Sequence, residues 1–223
     1  MIRPEVNRKE VFRYLGYGSH EPDEGTAKLV EECISELSQA ADVKVLKREF
    51  PLSVSENGVI DGGCFVTDSK KLLRNLGGCG RVLVMAVTLG AEADRLLARY
   101  GKLFVAKAVV MQAAAAAMIE AYCNEFCAEW REEYEKKELY LRPRFSPGYG
   151  DFPLSCQKRI LDSLEAGKRI GITLTDGGLM MPSKSVTAVM GISRIRGFCH
   201  VEGCEVCEKK DCVYRRESQD GNT

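Results

Sequence analysis

A chain of 223 residues with 45% hydrophobic side chains holds one substantial core and is too short for two full domains. Lysine plus arginine and aspartate plus glutamate both number 32, so the zero formal charge excludes a general attraction to nucleic acid or to an anionic membrane, and any basic site has to be local. The start MIRPEVNRKE has no apolar h-region, and no later stretch approaches the roughly 18 uninterrupted apolar residues that span a bilayer. The expectation is a soluble, cytoplasmic protein whose ten cysteines are reduced thiols or metal ligands.

In chain order, GTAKLVEECISELSQA (25–40) places Leu29, Cys33 and Leu37, with Ile34 on the flank, at helical spacing. VKVLKREFPL alternates like a half-buried strand, and GVIDGG begins another short extended piece. Thr67 or Asp68 is placed to cap a helix from Lys70 to Leu76 that stops at Gly77 and Gly78. RVLVMAVTLG is continuously apolar and β-branched, the pattern of a strand buried on both faces. AEADRLLARYG then reads as a helix.

The longest helical signal covers residues 103–137, with five consecutive alanines at 113–117 that let a neighbouring backbone approach closely. Residues 154–170 read as helical, with Ile160, Leu161 and Leu164 facing inward, and ITLTDGGLMMPSKSVTAVMGISRIRG supplies two strand-like pieces around a turn at Pro182. Helices and strands without strict βαβ alternation predict an α+β fold: one domain over 1–198, with a mainly antiparallel sheet packed by helices including one long one, then a cysteine-rich tail over 199–223.

Three places carry chemistry. The first is RPRFSPGYGDFP, residues 142–153. Pro143, Pro147 and Pro153 restrict themselves and the residues before them, while Gly148 and Gly150 permit the tight bend that displays Tyr149. A guanidinium held on such a loop pairs bidentately with a carboxylate or phosphate, and exposed carbonyls accept from an ammonium, so an amino acid head group suits it. A loop of this composition also serves as a plain connector. The second is Glu120, whose neighbours on one helical face are Ala116, Ala117, Cys123 and Asn124. It is either a partly desolvated carboxylate in want of a partner or a solvent-facing one.

The third is CHVEGCEVCEKKDC, where Cys199, Cys204, Cys207 and Cys212 have a spacing able to hold zinc or an iron–sulfur cluster, with His200 as a substitute ligand. The alternative is a tail of exposed thiols. Cys33, Cys123, Cys127 and Cys156 are expected in the core. Only His20 and His200 exist, neither beside a nucleophile, so a Ser/His/Asp triad has no support. GxxxxGK[ST] and GxGxxG loops are absent as well.

RPRFSPGYGDFP resembles the RPAPGYPACP-type segment of the S-adenosylmethionine-binding activation (reactivation) domain of cobalamin-dependent methionine synthase. VMAVTLG is similar to that domain's AVTGG strand, IEAY to its AEAF helix, and LTDGGLMMPSKSV to its LTESFAMWPGASV segment, in the same order over roughly residues 80–192. The resemblance implies a stand-alone version of the domain, serving methionine biosynthesis. It gives Arg144 the ligand carboxylate, Ser146 a backbone contact, Tyr149 the tyrosine of the GY pair, and Glu120 the acidic ligand residue. The family's N-terminal DWTPFF-type acidic segment has no counterpart in the first 60 residues, and a family tyrosine falls near Phe198.

The implied activity is support of reductive methylation: cob(II)alamin on a methyltransferase is rescued with one electron and the methyl group of S-adenosylmethionine. The implied partners are a cobalamin-dependent methionine synthase core or another corrinoid protein, and an electron donor such as flavodoxin. The tail leaves two rivals, an iron–sulfur redox activator of a corrinoid protein and a zinc-stabilised interaction module. Neither catalytic base nor nucleophile is expected in the chain, because the work is binding and orientation.

Overall fold

The computed structural model describes residues 4–18 and 20–196. The elements follow in the order α1 (Arg8–Tyr14), α2 (Glu24–Ala40), β1 (Lys44–Pro51), β2 (Ser53–Val54), β3 (Ile60–Asp61), β4 (Val66–Thr67), α3 (Lys70–Asn75), β5 (Arg81–Thr88), α4 (Ala91–Leu103), α5 (Val105–Glu135), β6 (Tyr140–Leu141), α6 (Cys156–Ser163), α7 (Ala166–Ile170), β7 (Thr173–Leu174), β8 (Met180–Met181) and β9 (Ser185–Ser193). The main sheet has the strand order β1-β5-β9-β6, and all its pairings are antiparallel. The architecture is the expected α+β one. The tail from Cys199 onward, with Cys199, Cys204, Cys207, Cys212 and His200, lies outside the described residues, as does Phe198.

β5 is the centre of the sheet, which explains why its sequence lacks alternation. Its side chains divide by period two between two cores. Leu83, Met85 and Val87 face one layer with Ala188, Met190 and Ile192 of β9, and Val82, Val84 and Ala86 face the other with Leu46 and Val189. The register makes this consistent, since Met85 lies opposite Ala188 and Val84 opposite Val189.

The first layer is helical. α5 lies against the sheet and against α1, α2 and α4. Ala113, Ala114, Ala115 and Ala117 are buried in this core, so the alanine run serves helix packing. Val30 joins Cys33, Ile34 and Leu37 on the buried face of α2. α5 is long and apolar enough to cross a bilayer by length and composition alone. Lys107, Gln112 and Glu120 interrupt it, so it is not a run of uninterrupted apolar residues. Met111, Met118, Ile119 and Trp130 of the helix are nonetheless buried inside the protein.

The second layer is assembled from short pieces. α3, α6, α7 and the loop carrying Phe145 and Phe152 cover the opposite face, with Phe65 and Phe152 both fully buried. Phe65 meets Phe152 edge to face at 5.3 Å, and Phe152 tilts against Phe145 at 6.3 Å.

Several local boundaries differ from expectation for identifiable reasons. Ser69, not Thr67 or Asp68, caps α3, accepting from the Leu72 amide; Thr67 is tied into β4 and buried. The helical stretch 103–137 begins only at Val105, because Phe104 is extended with φ −146° and ψ 94° and separates α4 from α5. Residues 154–170 form two helices, since Glu165 takes the left-handed conformation, φ 52°, between them. The segment before Pro182 contains the small β7–β8 hairpin, and only β9 follows it. Cys33, Cys123, Cys127 and Cys156 are buried as expected.

Candidate ligand site

The loop that follows β6 is held to the sheet by backbone bonds. Arg142 N donates to Gly191 O at 2.8 Å, and Phe145 and Val189 exchange two bonds of 2.9 Å. Gly191 is the contact that allows this approach. A Cβ there would lie 2.6 Å from Cys79 Sγ, 3.0 Å from Leu76 and 3.1 Å from Arg142 Cγ.

Consecutive residues of the extended segment then point to opposite faces. Phe145 enters the aromatic core with Val189, whereas Arg144 reaches to α5 and forms an ion pair with Glu120, Nη2 to Oε2. The sequence presented the carboxylate and the guanidinium as separate candidates 24 residues apart, and the fold brings them together.

The pair is partly desolvated, with side-chain exposures of 22% for Arg144 and 31% for Glu120. Burial, the largest single influence, pulls the Arg144 pKa down, but the Glu120 charge together with smaller contributions from Cys123, Cys127 and the hydrogen bond to Glu120 outweighs it, so the guanidinium ends above its ordinary value. Its Nη1 is buried with no hydrogen-bond partner among the described residues. Beneath the pair, Cys123 is pushed up to about 12 by burial, which outweighs the opposing effect of Arg144. That thiol stays neutral at physiological pH.

Farther on, the loop closes a turn. Tyr149 N donates to Ser146 O at 3.0 Å, Phe152 N to Tyr149 O at 3.1 Å, and Gly148 N to Phe152 O at 2.8 Å. Gly148 and Gly150 both have positive φ, 88° and 60°, as the bend requires. Ser146 therefore contributes through its carbonyl within the turn. Tyr149 is 48% exposed and stands edge-on to Phe145 at 5.2 Å. The structure thus groups the four expected residues as an ion pair, Glu120 of α5 with Arg144 of the loop, and a turn, Ser146 with Tyr149, a few residues farther along that loop.

Two contributors were not visible in the sequence. Asp151 anchors the turn from below. It accepts from the Ser69 hydroxyl and from the Lys70 and Lys71 amides, with Lys70 N at 2.9 Å, so it binds the N-terminus of α3. Those bonds, led by the Ser69 hydroxyl, hold its carboxyl below the ordinary value. The signal was the DFP following the glycines, but nothing local specifies a helix 80 residues earlier.

Tyr14, on α1, is the other. Burial, with a contribution from the Glu120 charge, raises its phenol. It lines a groove of about 420 Å³ with Val105, Val109, Gln112, Ala113 and Ala116 of α5. Residues 105, 109, 112, 116 and 120 follow one face of the helix, so this groove leads toward Glu120. Among the described residues no group of His, Cys, Asp and Glu side chains is arranged to hold a metal.

Comparison with known proteins bears on what the pair and loop serve. Residues 73–204 match the sequence model of a family described as "Vitamin B12 dependent methionine synthase, activation domain". Among solved structures, the fold is similar to the "Crystal Structure of the MetH Reactivation Domain bound to AdoHcy", with a TM-score of 0.57 and 17% sequence identity over 82% of this chain and 75% of that chain. A search of curated proteins gave no match.

Proposed function

The chain belongs to the family of vitamin B12-dependent methionine synthase activation domains, and from that premise we propose that it binds S-adenosylmethionine at Arg144 and Glu120 and presents the methyl group to the cobalamin of a partner protein. The observation that carries this reading is the partly exposed Arg144 guanidinium, held on a loop bonded to the sheet and paired with the Glu120 carboxylate of α5. An amino acid head group supplies the complementary pair of charges. The similar solved structure contains S-adenosylhomocysteine, the demethylated form of such a ligand.

When cobalamin is present on the partner, cob(II)alamin takes up one electron and the resulting cob(I)alamin accepts the methyl group, leaving S-adenosylhomocysteine. What this chain's residues do is bind and orient. Arg144 fixes the ligand carboxylate, Glu120 the ammonium or a hydroxyl, and the Ser146–Tyr149 turn offers its backbone and the phenol ring as a wall. The loop is fixed by the sheet, Asp151 and Phe152 before any ligand arrives, so little ordering entropy is lost on binding. The partner is a cobalamin-dependent methionine synthase core or another corrinoid protein, with an electron donor such as flavodoxin.

The test is spectroscopic. A methionine synthase core lacking its own activation domain, loaded with cob(II)alamin, is mixed with this protein, a one-electron reductant and S-adenosylmethionine. Conversion to the methylcob(III)alamin spectrum only when both this protein and S-adenosylmethionine are present is the expected result. A conversion rate that does not depend on this protein counts against the proposal.

A further inference from the structure

At the junction of α4 and α5 four large apolar side chains stand in solvent within seven residues: Leu103 at 57% exposure, Phe104 at 61%, Val105 at 77% and Val109 at 55%. None of them belongs to either core. Less than half of the most apolar part of α5 is buried inside the protein, and its first turn is the bare end. Local structure does not account for Phe104 either. It holds the N-cap position of α5 with no side-chain bond to the first-turn amides, where a Ser, Thr, Asp or Asn would satisfy one of them.

Beside these side chains lies the groove of about 420 Å³, walled by Tyr14 of α1 and by Gly101, Ala108, Val109, Gln112 and Ala116. Its glycine and alanines leave room for a bulky ring. Val105 and Val109 belong both to the projecting cluster and to the groove, so knob and hollow form one continuous patch. Two copies related by a two-fold axis meet through the same patch on each, which must then be complementary to itself. A patch that carries a projecting ring next to the hollow to receive it meets that condition.

The four side chains expose roughly 500 Å² of mostly apolar surface, as large as the largest patch a monomer usually carries, and a symmetric pair would bury about 1,000 Å², the lower bound of a specific interface. The zero formal charge of the chain sets up no general repulsion between copies. We propose that the protein forms a two-fold dimer in which Leu103 and Phe104 of each copy enter the groove of the other. The contact lies at the end of the groove away from Glu120, and it does not depend on what Arg144 binds.

The test is sedimentation velocity of the intact protein in reductant, which keeps the ten cysteines from cross-linking copies, over about 1 to 500 μM, the range in which so small an interface dissociates. The sedimentation coefficient should rise from the monomer value to the dimer value and stop there, because a two-fold contact closes on itself. Phe104→Glu and Val109→Glu each place a charge in the contact and should raise the dissociation constant at least tenfold, with the melting transition retained because both positions are exposed. Val66→Glu, at an exposed apolar position on β4, should leave the dimer unchanged.

A monomer at every concentration would overturn the proposal. So would a dimer that survives both Phe104→Glu and Val109→Glu, because the copies would then meet elsewhere. If the unmodified protein stays monomeric while Phe104→Glu abolishes its binding to a corrinoid protein, the patch belongs to that partner and the assignment to a second copy is wrong.

Discussion

The two faces of the central sheet are covered by different materials. One carries a 31-residue helix that presses a run of alanines into its neighbours. The other carries three short helices and a loop filled with phenylalanines. The proposed site belongs to both, because Phe145 inserts into the aromatic face while Arg144, one residue earlier, reaches α5 on the other. The aromatic cluster that fixes the loop therefore lies on one side of the sheet, and the proposed Arg144–Glu120 pair on the other. The difference teaches that stability and binding should separate by face when single residues are changed.

The largest effect should come from the aromatic side. Phe152 is fully buried between Phe65 and Phe145, and Phe152→Ala should lower unfolding free energy by about 3–5 kcal/mol, read from a denaturant midpoint. A loss below 1 kcal/mol would mean the loop is not anchored by this cluster. On the other face, Arg144→Ala should weaken S-adenosylmethionine binding by about 1.5–3 kcal/mol, the range for a hydrogen bond to a charged group, with the melting transition still cooperative. Unchanged affinity in a folded variant would remove Arg144 from the site.

Gly191→Ala sharpens the comparison at the point where the loop meets β9. The added methyl meets Cys79, Leu76 and Arg142, and overpacking of this kind costs about 1–3 kcal/mol; part of the damage should appear as weaker binding, since Arg142 leads directly to Arg144. The smallest effect is expected at Asp151. Asp151→Ala removes the bonds to the start of α3 and should cost about 1 kcal/mol, as for the loss of a helix cap. Because the folded carboxyl lies below its ordinary value, its stabilisation is present above the ordinary carboxylate range and fades as pH falls through that range to the depressed folded value. The variant should lose that part of the acid-side decline in stability, which parallel denaturation series near neutrality and in acid would show.

Much of this arrangement was legible in the sequence where local pattern decides it. The uninterrupted apolar run of β5 announced a strand covered on both faces, and the Pro/Gly spacing of 142–153 announced a fixed bend. The break between α4 and α5 was read close to its place, after Gly101, and falls at Phe104, whereas the break at Glu165 was not legible, because the residues around it do not forbid continuous helix. At the site, Arg144 and Tyr149 stood out by chemistry, but their partners depend on long-range placement. Glu120 meets Arg144 only once α5 lies across the sheet, Asp151 reaches a helix formed some 80 residues earlier, and Tyr14 arrives from the N-terminal segment that showed no family motif.

The most direct test of the central claim is a calorimetric titration of the intact protein with S-adenosylmethionine at two temperatures, so that a vanishing enthalpy at one is not read as no binding. The account predicts saturable one-to-one binding. No heat at either temperature, together with no competition from S-adenosylhomocysteine, would contradict it.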